Sequence, residues 1–199
     1  MSASGTVEVD RANGRGRLRR VVGPILVLLA LMWALEVLDV VLRGRLDSLG
    51  IVSRTPEGLI GIPLSPFLHG GFAHLMANTI PFVVLGLLVA WRTERSMWPV
   101  TLTIAVIGGF GVWLLGPGAA VTIGASGIIF GFFAYLITAG LLTRHWLDLL
   151  IAVAVLIVYG GLLAGVLPFA VGPGVSWLAH LMGALGGVVA AFAFADRSR

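Results

Sequence analysis

The chain has 199 residues, 58% of them hydrophobic and only 11% charged, with a mean hydropathy of +1.04. So few charges cannot cover the surface of a soluble domain of this size, which leaves an integral membrane protein with room for one helical bundle. The formal charge of +4 rests on 13 basic residues, all arginine and mostly at the edges of apolar runs, a membrane-topology pattern that argues against nucleic acid as a partner. Cysteine is absent, so disulfides, thiol nucleophiles and Cys-ligated metals are excluded.

Residues 1–20 are polar and basic towards their end (Arg11, Arg15, Arg17, Arg19, Arg20) and read as a flexible cytoplasmic tail, ahead of a single transmembrane domain over 21–196. The apolar run that follows, through Trp33 to Leu42, lacks a convincing small-residue cleavage site and is expected to stay as the first span. Glu36 and Asp39 near its far end read as an interfacial pair near Arg43 and Arg45, with a functional role as the alternative. The connector from Arg43 to about Phe72 is amphipathic, and its Ile60 to Leu68 section suits a loop dipping into the interface. A second span runs from Gly71 to Trp91, closed by Arg92, Glu94 and Arg95.

The charge-free stretch from Ser96 to Thr143 is too long for one span, since about 20 residues cross the hydrocarbon. Gly116-Pro117-Gly118 divides it into spans three and four, and Arg144, His145 and Asp148 close it, with His145 a solvated edge residue. Leu149 to Ala195 is again double length, broken by Pro168, Gly172, Pro173 and Gly174 into spans five and six before Asp196, Arg197 and Arg199. The predicted fold is therefore an all-α bundle of six transmembrane helices. The arginine distribution puts both termini in the cytoplasm, with Arg43, Arg45 and Arg54 of the first outer loop as the exception to the positive-inside rule.

Spans two, four and six share an outer starting side, and each carries unusual polar residues near that start. Span two has His74 and Asn78, four apart and so on one helix face; span four has Ser126; span six has His180. Gly127 and Gly131 beside the serine, and Gly183 and Gly187 below the histidine, form small-residue faces that let helices approach closely in lipid. Such an approach would bring His180 within reach of Ser126, where a neutral imidazole can take the hydroxyl proton. His74, Asn78 and the Ser126 backbone N–H are the available donors for an oxyanion. No intramembrane carboxylate is placed to orient His180, so the arrangement reads as a dyad.

The GASG of residues 124–127, the His74-x-x-x-Asn78 pair, and Ala179-His180 followed by Gly183 and Gly187 resemble the rhomboid family of intramembrane serine proteases. His69, five residues before His74, also matches a recurrent rhomboid histidine. The resemblance implies Ser126 as nucleophile and His180 as general base, with the oxyanion held by His74, Asn78 and the Ser126 N–H. His69, Gly124, Gly127, Phe130, Gly183 and Gly187 would support them. It also implies cleavage of single-span transmembrane proteins near the outer face of a lipid bilayer, expected to be a bacterial plasma membrane, with no metal or organic cofactor. The connector Pro168 to Ser176 resembles the cap over the rhomboid site. Span five is rich in small residues (Ala152, Ala154, Gly160, Gly161, Ala164, Gly165) and is expected to pack loosely as a lateral gate.

Two departures stand out. The first outer loop lacks the Trp-Arg pair of many bacterial members, and position 130 is Phe where Tyr is frequent. Three rival readings compete: a zinc site built on His69, His74 and His180, a catalytically silent rhomboid-like protein that binds or escorts membrane proteins, and a small transporter.

Overall fold

A computed structural model describes residues 3–93 and 97–195. The expected charges at Glu94, Arg95, Asp196, Arg197 and Arg199, with the side chains of Arg11, Arg15 and Arg17, lie outside the described residues.

Helix α1 covers Ala3–Val41, α2 Pro56–Leu64, α3 Phe72–Arg92, α4 Trp98–Leu115, α5 Ser126–Thr143, α6 Trp146–Tyr159 and α7 Trp177–Phe194. Six helical stretches are long and apolar enough to cross a membrane: Leu18–Val41, Phe72–Arg92, Trp98–Leu115, Ser126–Thr143, Trp146–Val166 and Trp177–Phe194. In hydrocarbon each backbone N–H and C=O needs a partner, and a helix provides one for every interior residue, so these runs fold as helices. Helix α1 starts at Ala3, well before the boundary at 21, and runs on through Pro24. Span five starts at Trp146 and ends in a 3-10 segment, Gly160–Val166.

Helix α5 is apolar all round, the signature of a helix surrounded by others. It stands at the centre, packed on α7, α6, α3 and α4. Of its spanning window 61% is buried, against 11% for span five. Phe132 and Tyr135 of α5 join Phe82 and Leu85 of α3 and Ile25 and Met32 of α1 in one core.

The connector between α1 and α3, expected as the first outer loop, is more ordered than its composition suggests. It contains α2, two 3-10 turns and a two-residue strand, β1 (Ile51–Val52), which pairs antiparallel with β2 (Val121–Thr122) of the connector leading to α5. The loop is fastened to the C-terminal end of α4. Ser53 Oγ donates to the Val112 carbonyl at 2.9 Å, the Arg54 N–H donates to Trp113 O at 2.9 Å, and the Arg54 guanidinium donates to Leu114 O at 3.2 Å and Gly116 O at 2.8 Å. Trp113 Nε1 returns a bond to Thr55 O at 2.8 Å. The last carbonyls of a helix have no partner within it and sit at its negative end, which is where an arginine is useful. This anchors the loop without a Trp-Arg pair and gives Arg54 a local reason to sit against the positive-inside pattern.

Two expectations about charged residues are corrected. Glu36 and Asp39 are buried, and among the described residues neither forms an ion pair with Arg43 or Arg45. Asp39 instead accepts the Leu46 N–H at 2.6 Å, closing the turn after α1. At the end of the bundle opposite Ser126, Arg92 and Asp148, expected as charges that close spans two and four, lie within α3 and α6, buried and paired with each other. Thr143 Oγ1 donates to Asp148 at 2.8 Å. The pair joins the end of α3 to the start of α6 beside the end of α5, and only paired charges are tolerable at such a site.

Removing one partner leaves an uncompensated buried charge, a cost of about 3–5 kcal/mol, whereas replacing both with apolar groups is often neutral. Asp148→Ala is therefore expected to lower the thermal midpoint in detergent strongly, and the double variant Arg92→Met/Asp148→Leu to recover most of the loss. Additive losses in the double variant would contradict the pairing.

Candidate active site

The site begins with a turn. Gly124 has φ of +115°, a conformation open to glycine at little cost. Its N–H donates to Ser65 O at 2.8 Å, which ties the connector to the first outer loop. A Cβ at this position would come within 2.8 Å of His74 Cε1, so the absence of a side chain also lets the His74 imidazole lie against the turn. Ser126 follows as the first residue of α5.

His180 lies in the first turn of α7, which Ser176 caps by accepting the Ala179 N–H at 3.2 Å. The imidazole reaches Ser126 because α5 and α7 nearly touch through their backbones. A Cβ at Gly183 would collide with the Gly127 carbonyl, and one at Gly187 with that of Gly131. His180 Nε2 then lies 3.0 Å from Ser126 Oγ. Its other ring nitrogen lies 2.9 Å from the Gly165 carbonyl. Phe130, one turn along from Ser126, stacks on the imidazole with centroids 4.0 Å apart and planes 5° from parallel. The phenyl ring thus packs on His180 without the hydroxyl that a tyrosine would carry there.

His74, Ser126 and His180 line one cavity of about 920 Å³, walled by residues 120–123 and 173–176 of two connectors and by residues 177–179 at the start of α7. Asn78 does not line it. Asn78 is buried one turn further along α3 and donates through Nδ2 to the His74 carbonyl at 2.9 Å, leaving a second amide hydrogen uncommitted. His69 is also away from the cavity. Its Nε2 accepts the Ala125 N–H at 3.4 Å, and its ring meets His74 edge-on at 5.1 Å. Burial first, and then the neighbouring His74, push the His69 pKa down to about 4. It is therefore a neutral acceptor holding the residue before Ser126.

The contact that sequence reasoning missed is Gly165. It stands in a glycine-rich run that suggested loose packing, and a backbone carbonyl leaves no signal in residue type.

Together the fold and site define an integral multi-pass membrane protein with a serine and a histidine in hydrogen-bond contact at the wall of one cavity. The Rhomboid domain family matches residues 56–197, and the chain belongs to the rhomboid family, whose members are generally intramembrane serine proteases. Uncharacterized proteins of Mycobacterium bovis and Mycobacterium tuberculosis are each 42% identical over 94% of this chain and 85% of their own length. An uncharacterized protein of Mycobacterium leprae is 43% identical over 88% of this chain and 73% of its own. No solved structure gives a significant match.

Two outcomes follow from this geometry. Gly183→Ala is expected to separate α5 from α7 and greatly slow labelling of Ser126 by a fluorophosphonate. Gly127→Ala, whose Cβ would meet only the Ala179 carbonyl at 3.3 Å, should slow it less. Equal rates in the two variants would contradict the backbone approach. The second outcome concerns pH. Because folding holds His69 below the ordinary 6.5, the unfolded chain takes up the proton first. The stability present above pH 6.5 is lost as pH falls towards 4. In thermal unfolding across that window, His69→Gln should flatten the decline; an unchanged slope would show that His69 is not the group responsible.

Proposed function

We propose that this protein is an intramembrane serine endopeptidase that cleaves transmembrane segments of single-span membrane proteins near one membrane face. The observation that carries the reading is the 3.0 Å contact between Ser126 Oγ and His180 Nε2, at the cavity shared with His74. Ser126 Oγ attacks the scissile carbonyl while His180 Nε2 takes its proton. The oxyanion is held by the Ser126 N–H, the His74 imidazole and the remaining amide hydrogen of Asn78, once substrate draws Asn78 towards the cavity. His180 then protonates the leaving amine, the C–N bond breaks, and water activated by His180 releases the acyl group from Ser126. None of these steps calls on a metal or an organic cofactor.

The substrate is a hydrophobic helix that must arrive sideways from lipid. Span five is the element suited to let it pass: it is little buried and packs chiefly on α5. The connector Pro168 to Ser176, whose residues 173–176 line the cavity, acts as the cap. Membership of the rhomboid family and the mycobacterial relatives support a bacterial plasma membrane as the location. The arginine pattern supports cytoplasmic termini, with the site towards the outer face.

Cleavage of a single-span reporter in membranes tests the reading. Ser126→Ala and His180→Ala are expected to abolish it, and Asn78→Ala to reduce it by roughly 10²–10³-fold, as loss of one oxyanion donor does elsewhere. A form with α6 tethered to α3 by an engineered disulfide should leave the reporter intact until reduced. Unchanged cleavage by Ser126→Ala would refute the mechanism, and a reporter that only binds the unaltered protein would favour an escort role.

A further inference from the structure

The reacting pair stands on α5 and α7, but the second polar contact of His180 comes from a different element. Gly165 belongs to the 3-10 segment Gly160–Val166 at the end of span five, and its carbonyl lies 2.9 Å from His180 Nδ1. A carbonyl oxygen only accepts, so Nδ1 carries the ring proton. Nε2 then presents its lone pair to the Ser126 hydroxyl, the state a general base requires. Among the described residues no carboxylate contacts His180. Two restraints therefore fix the imidazole, and they do different things. The Phe130 stack fixes the plane of the ring. The Gly165 carbonyl fixes which nitrogen holds the proton. Residue 165 also has no room for a side chain: a Cβ would meet the Phe130 ring and lie 3.3 Å from His180 Nδ1.

We infer that the Gly165 carbonyl is a positioning group for the base, supplying the acceptor that an acidic residue supplies in a Ser-His-Asp triad. Its place on span five makes the orientation of His180 depend on the seating of that segment. The inference rests on the protease reading. It adds that the element that lets substrate in also completes the base, so that His180 regains its working tautomer only when Gly160–Val166 is back against α7. That segment is held lightly enough to move. It packs against α7 but has no fully buried residue, and 3-10 hydrogen bonds have poorer geometry than α-helical ones.

The test alters the carbonyl without altering a side chain. Replacing Val166 with its α-hydroxy acid turns the 165–166 peptide into an ester, whose carbonyl is a poorer acceptor. The same change one link earlier, at 164–165, leaves the Gly165 carbonyl in an amide and serves as the control. Two quantities are read on the full chain in bilayers: the ¹⁵N signals of His180, assigned by their loss in His180→Gln, and kcat and KM for the reporter. The unaltered protein is expected to show a protonated Nδ1 and an unprotonated Nε2. The 165–166 ester should shift His180 to a mixture of tautomers and lower kcat about tenfold at nearly constant KM, the order expected from weakening one hydrogen bond. The control ester should leave the tautomer unchanged. A resting His180 protonated on Nε2, or a tautomer indifferent to the 165–166 ester, would overturn the inference. The spectrum decides the matter even for a protein that cleaves nothing, so this failure is separable from failure of the protease reading.

Discussion

The approach of α5 to α7, backbone against backbone, is the constraint on which the rest of the structure depends. Helices in lipid gain no hydrophobic drive towards each other and associate through close van der Waals packing, which small residues permit. Here Gly183 and Gly187 lie on the Gly127 and Gly131 carbonyls with no space for a methyl group. A serine side chain is short, and an imidazole from a neighbouring helix meets it at 3.0 Å only when the helix axes are unusually near. The glycines thus bring Ser126 and His180 together without either leaving its helix.

The two ends of the bundle are built differently. At the end away from Ser126, the buried Arg92–Asp148 pair and Thr143 bind α3, α5 and α6 to one another. At the site end, span five has relaxed into a 3-10 segment that is tied to the site, among the described residues, by the contact between Gly165 and His180. Firm attachment at one end and a light one at the other describe an element that can tilt without leaving the bundle. The connector between α1 and α3 is fastened by its β1–β2 pairing and by its bonds to the end of α4, which hold the Gly124 turn in place.

Much of this was legible in the sequence because membrane helices follow simple rules. Run lengths and Gly/Pro breaks located all six spans, and the polar residues near three span starts located Ser126, His74 and His180 in one cavity. What escaped depends on contacts between segments distant in the chain. Arg92 and Asp148 each looked like an ordinary span-ending charge, and only the meeting of α3 with α6 makes them a pair. Glu36 and Asp39 had arginines nearby in sequence, yet Asp39 turns to a backbone N–H instead. The β1–β2 pairing of two-residue strands is too short to leave a periodic pattern. Asn78 was expected to stand beside His74, and its amide instead turns back to the His74 carbonyl one turn above.

The most direct measurement of the central claim is a crystal structure of the protein after reaction with a fluorophosphonate. The expected result is a covalent bond from Ser126 Oγ to phosphorus, with the phosphoryl oxygen directed towards His74, Asn78 and the Ser126 N–H. His180 should remain stacked on Phe130. An unmodified Ser126, a bond at any other residue, or a phosphoryl oxygen turned away from α3 would contradict the account.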